Sequence, residues 1–132
     1  MKKILALMLL SIFITACSLK NSPKYVSEGY TKALEQNDLR KARSYIYVPS
    51  SIQSYMSSKD IEEQLGREFS KFQKELEGIA GLKKFKIVQS KEISDTVTEL
   101  IVECIGNNGQ IIDKSFYTVN IDGVWKLIQD VK

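Results

Sequence analysis

The sequence predicts an α+β domain, with N-terminal helices packed on one face of a curved antiparallel sheet of about four strands. Three observations predict it. Ile61, Leu65, Phe69, Phe72, Leu76 and Ile79 recur at steps of four, four, three, four and three, which is the apolar stripe of one amphipathic helix. From Lys83 the period changes to two, and Leu100, Val102 and Cys104 alternate with Glu99, Ile101 and Glu103 as on a half-buried antiparallel strand. Asn107-Asn108-Gly109 and Asp122-Gly123 supply tight hairpin turns between such strands. Helices that precede a meander fold onto one face of it, because each has a single apolar face to bury.

Taken in order, the chain opens with Lys2 and Lys3 followed by an apolar run from Ile4 to Ile14. A charged start, a short apolar stretch and then small residues form a secretory signal, and the run is shorter than the roughly 20 residues a spanning helix needs. Ile14-Thr15-Ala16-Cys17 then resembles the bacterial lipobox: a branched aliphatic residue, a small residue just before the cysteine, and the cysteine itself. The resemblance implies cleavage between Ala16 and Cys17, with residues 1–16 removed, and acyl chains on the thiol and amino group of Cys17. One chain holds a protein to a bilayer only marginally, at ~0.8 kcal/mol per buried CH₂, whereas two or more anchor it. The alternative, an ordinary signal with Cys17 as a stray thiol, accounts for less of the pattern. The resemblance further implies an envelope location: the outer membrane in a diderm host, where a serine such as Ser18 after the cysteine permits export, and otherwise the outer face of the cytoplasmic membrane.

Residues 17–22 form the acylated cysteine and a short polar tether, and residues 23–132 form the domain. Ser22-Pro23 starts a helix, with serine as N-cap and proline at the first position, and Val26, Tyr30, Ala33 and Leu34 give it one apolar face. Asp38 caps a second short helix carrying Leu39, Ala42 and Ile46, which Pro49 stops. Residues 48–56 read as a loop. Ser57 or Ser58 caps the long helix, with Asp60 in its first turn where the helix dipole favours it, and Gly78 and Gly81 end it. Strands follow from Phe85 to about Ile93, through 99–104, through Phe116 and Thr118, and through Trp125 and Leu127.

Composition narrows the function. The leader carries Lys2 and Lys3 and no acidic residue, so the mature chain is close to neutral and lacks the concentrated basic face that nucleic acid requires. The chain has no histidine, which removes the commonest general base and metal ligand; no cofactor and no metal site is expected. With Cys17 acylated, Cys104 stands alone and reads as a small buried apolar residue rather than a reactive thiol.

The aromatic strand followed by Asp122-Gly123-Val124-Trp125-Lys126-Leu127 resembles the last hairpin of the cone-shaped fold shared by nuclear transport factor 2 and ketosteroid isomerase. The opening is similar too: a helix with Ala33-Leu34, then Asn37-Asp38 leading into Ala42. Small bacterial lipoproteins with such a nuclear-transport-factor-2-like, or cystatin-like, domain of unknown function look like relatives. The resemblance implies a pocket between helices and sheet, and in some relatives catalysis. Isomerase-like chemistry would need a carboxylate base in an apolar pocket with acidic donors. Asp38 reads better as a cap. Tyr30, Tyr45, Tyr55 and Tyr117 could donate, but aromatic residues at core spacing read better as core. Glu99 and Glu103 read as a solvated sheet face with Lys114 or Lys126 as cross-strand neighbours.

The sequence therefore favours a non-enzyme: an envelope binding domain, monomeric or weakly dimeric, that takes a small apolar ligand or a protein partner. Tyr30, Phe116, Tyr117 and Trp125 are the candidate binding surface. An immunity- or inhibitor-type lipoprotein is the alternative, and an isomerase-like enzyme the third. Replacing Cys17→Ser removes the thiol that accepts lipid, so the product will be unprocessed or released from membranes. Mass spectrometry of membrane and soluble fractions checks this, and a Cys17→Ser protein that stays processed and membrane-bound contradicts it.

Overall fold

The computed structural model describes residues 21–128, so the leader, Ala16, Cys17 and the tether up to residue 20 lie outside the described residues. Helix α1 (Pro23–Glu35) begins as expected: the Ser22 hydroxyl accepts the Tyr25 amide at 3.1 Å and Pro23 opens the first turn. Its inner face buries Val26, Tyr30, Ala33 and Leu34. Ser27 and Thr31 are buried on it as well, and each hydroxyl donates to a carbonyl four residues back, at 2.7 and 2.9 Å, so neither is left unsatisfied. Asn37 turns the chain with a positive φ, and Asp38 caps α2 (Leu39–Ser44) by accepting the Lys41 amide.

Here the structure departs from the sequence reading. Helix α2 ends at Ser44, Leu39 is exposed, and Ile46 leaves the helix for a two-residue strand β1 (Ile46–Tyr47). That strand pairs in parallel with the end of β5 (Val124–Ile128), Ile46 opposite Leu127, and the Leu127 amide donates to the Tyr45 carbonyl at 2.8 Å. The sheet edge offers Ile46 both backbone partners and burial, which one further helical turn would not. Residues 48–56 also hold a short helix α3 (Ser50–Gln53) that starts after Pro49.

Helix α4 (Ser58–Gly78) is capped by Ser57 and buries Ile61, Leu65, Phe69, Phe72 and Leu76. Ala80 and Gly81, both at positive φ, reverse the chain into the sheet. The strands β2 (Leu82–Glu92), β3 (Val97–Gly106) and β4 (Ile111–Ile121) form an antiparallel meander with β5, in the order β1-β5-β4-β3-β2. The fold is thus α+β with a mixed sheet of five strands, the fifth being the short parallel edge. A bulge between Ile87 and Gln89 bends β2, and bulged strands twist and curve a sheet. Asp122 and Gly123 both take positive φ, as the tight two-residue hairpin turn requires.

The concave face presents Phe85, Leu100, Val102, Cys104, Phe116 and Leu127 to α1 and α4, and this is the core. Gly106 closes it at the far end: a β-carbon there would fall inside the contact distance of the Ile79 carbonyl and side chain, just past the end of α4. Gly106→Ala therefore overpacks the junction of α4 and β3. A loss of about 1–3 kcal/mol in denaturant unfolding is expected, and an unchanged midpoint would contradict the packing described.

Candidate functional site

A cavity of ≈ 320 Å³ lies between α4 and the β1-β5-β4 side of the sheet. Its floor is apolar: Tyr30 from α1, Ile46 from β1, Phe72 from α4, Phe116 from β4 and Leu127 from β5, all buried. The rings form one cluster. The Tyr30 centroid lies 5.8 Å from Phe69 and 6.2 Å from both Phe72 and Phe116, with edge-to-face geometry to Phe69 and Phe116. The rim is polar, with Glu68, Lys71 and Glu75 on α4 and Lys114 on β4.

The sequence spacing explains the rim. Phe72 sits on the buried stripe of α4, and Glu68 and Glu75 lie four residues before and three after it, on the same side of the helix. On β4, Lys114 shares its face with Phe116 and so projects into the cavity. Its ammonium donates to Glu75 Oε1 at 2.8 Å and lies 4.5 Å from the Phe72 ring centroid, combining an ion pair with a cation–π contact.

Of the candidate surface residues, Tyr30, Phe116 and Tyr117 all line this cavity, and Trp125 does not. Trp125 is half-buried against the core and its amide donates to Asn21 Oδ1 at 2.8 Å, so it closes the β5 edge. Burial, and then the nearby Glu68 carboxylate, push the Tyr30 hydroxyl well above the usual phenol range, so it keeps its proton. Tyr45 is raised by burial and then by the adjacent Tyr25, while Tyr55 stands out in solvent. The Asp38 carboxylate is spent on its cap.

The sheet-face carboxylates are arranged differently from the sequence reading. Lys114 lies on the opposite face from Glu99 and Glu103, and Lys126 reaches the Ser44 carbonyl instead. Glu99 faces Lys91 and Tyr117 across its neighbouring strands, and Glu103 faces Lys86 and Asp113. The Ser115 hydroxyl donates to Glu99 at 2.8 Å; that bond and then one from Tyr117 hold the Glu99 carboxyl below its ordinary value. Glu68, Lys71 and Glu75 were not singled out in the sequence, and Lys114 was named only as a cross-strand neighbour of Glu99 or Glu103. The available signal was charge bordering an apolar stripe, Glu68 next to Phe69 and Glu75 next to Leu76, which ordinarily marks a solvated flank.

Cys104 is fully buried on the floor side of β3, and burial pushes its thiol up to about 11 despite the opposing charge of Lys114. It is a thiol rather than a thiolate at neutral pH.

Residues 15–128 match the profile of DUF4878, a domain of unknown function. No curated protein matches the chain. Among solved structures, the fold is similar to that of a Campylobacter jejuni protein that carries the provisional name NTF2-like transpeptidase. The TM-score is 0.69 at 16% identity, over 83% of this chain and 99% of that one. This overturns the expectation that the chain is not an enzyme. That expectation rested on the missing histidine and on structural readings of Asp38, the tyrosines, Glu99 and Glu103, yet a protein of the same fold carries an enzyme's name, and acyl transfer also runs through Ser–Lys and other sites that use no histidine. At this identity the likeness establishes the fold alone.

The buried thiol has a pH signature. Its folded value exceeds the ordinary 9.0, so above that pH the unfolded chain binds fewer protons than the folded one. The stability from this group is complete below 9.0 and is lost as pH rises toward about 11, with a slope of ~1.4 kcal/mol per pH unit. Urea unfolding of the chain and of Cys104→Ala across that range checks it. The variant should lack this component, and identical pH slopes would contradict it.

Proposed function

The chain belongs to the DUF4878 family, and within it we propose a membrane-anchored envelope lipoprotein whose cavity takes up a small ligand with an apolar body and a polar head. The observation that carries this reading is the cavity itself: an aromatic and aliphatic floor under a polar rim, at the small end of the roughly 300–1,000 Å³ typical of ligand sites. Such a floor removes apolar surface from water at about 25 cal/mol per Å², and the rim orients whatever part of the ligand stays polar. The anchor rests on Ile14-Thr15-Ala16-Cys17 after an apolar leader.

Anchor and cavity are close together on this reading. Cys17 precedes Asn21 by four residues, at most roughly 14 Å of extended chain. Asn21 is tied to Trp125 at the start of β5, the strand that carries Leu127 to the cavity floor. The β5 end of the domain is thereby held near the bilayer, where apolar solutes concentrate.

The test is native mass spectrometry of the lipidated chain released from its own membranes. One small-molecule adduct per chain is expected, and it should be lost from Lys71→Trp, which sets a bulky ring on an exposed rim position without disturbing the core. A chain that carries no adduct, or an adduct indifferent to that substitution, counts against the reading.

A further inference from the structure

Charge on the cavity rim is divided unevenly between groups already satisfied and groups left open. The Lys114 ammonium is committed to Glu75 and the face of Phe72. Glu68 lies seven residues before Glu75, two helical turns or about 10.5 Å along the same side of α4, with Phe72 between them. It makes no ion pair among the described residues. Tyr30 faces it from α1: the ring is 4% exposed, yet its hydroxyl has no hydrogen-bond partner among the described residues. No fully buried polar side-chain atom there lacks a partner, so this hydroxyl opens onto the cavity.

The protein thus builds one ammonium site for its own lysine, from Glu75 and the ring of Phe72, and sets a second carboxylate, Glu68, beside the Tyr30 hydroxyl at the other end of the same rim. We propose that the Glu68 end of the cavity binds the ammonium group of an amine ligand whose apolar body lies on Phe72 and Phe116. This rests on the cavity being a ligand site, as argued above, and adds the chemical class of the ligand's head. An ammonium there would donate to the Glu68 carboxylate and to the Tyr30 oxygen, and would meet the negative faces of the rings. An anionic head would meet Glu68 and those same faces, with Lys114 already occupied. Lys71 is the remaining rim cation. It is exposed, lies within one turn of both carboxylates and makes no ion pair among the described residues, so it is the group through which an anion would compete.

The experiment uses the full chain in phosphatidylcholine nanodiscs, with empty discs as blank, and three probes that share a ring and differ in the head: 2-phenylethylamine, 2-phenylethanol and phenylacetate. Ligand-observed NMR gives the relative affinities. The amine is expected to bind tightest, and Glu68→Gln should weaken it by roughly threefold to fivefold, the scale of an exposed ion pair, while leaving the alcohol unchanged. Glu63→Gln, at an exposed α4 position outside the cavity lining, should change nothing. If the alcohol binds but the amine gains nothing over it, if phenylacetate binds tightest, or if the amine's advantage survives Glu68→Gln, the amine assignment is overturned and the apolar cavity stands. If none of the three binds, the ligand-site reading falls and takes this inference with it.

Discussion

The laying of α4 across the concave face of the sheet is the constraint on which the rest of the structure depends. Its buried stripe from Ile61 to Leu76 meets the inward residues of β2, β3, β4 and β5, and Tyr30 of α1 fills the angle between them. Five aromatic contacts at 5.8–6.2 Å link Tyr30, Phe69, Phe72, Phe85 and Phe116 into one cluster. Each such pair contributes about 0.5–1.5 kcal/mol beyond its buried area. Tyr30, Phe72 and Phe116 of this cluster also form the aromatic part of the cavity floor, so the cavity is built on residues that cannot shift without disturbing the fold.

The same constraint explains why a cavity exists. Rings 6.2 Å apart hold α4 off the sheet, and aliphatic side chains at Ile46 and Leu127 do not fill the space beyond Phe116. Lys114 and Glu75 bridge the gap at its rim, while β1 closes the edge through its parallel pairing with β5. Arg43 supports that edge from outside, bonding Glu62 of α4 at 2.9 Å and the Ile46 carbonyl at 3.2 Å.

Much of this was legible in the sequence because local chemistry and tertiary packing agree. Ser22-Pro23, Asp38 and Ser57 cap helices as their side chains dictate, and the stripe of α4 and the alternation of β3 appear in full. Ile46 was misplaced because its environment is decided by a strand 81 residues later, which no local pattern reports. The rim was missed for a related reason. Glu68, Glu75 and Lys114 look like solvated charges until the sheet brings β4 under α4. Tyr30 and Phe116 were singled out for aromatic character, which says that they are buried but not that a cavity lies over them. The judgement on catalysis failed differently: it argued from a missing residue type and from structural roles for single residues, and a missing histidine closes only one chemical route.

On the proposed reading, small molecules enter between α4 and the sheet rather than resting on the outer face. Isotope-edited NMR of the full chain with a bound apolar aromatic probe tests this most directly. Magnetisation transfer from the probe to Tyr30, Phe72, Phe116 and the methyls of Leu127 is the result the account predicts. Transfer confined to Ile111 and Val124, exposed on the convex side, would contradict it.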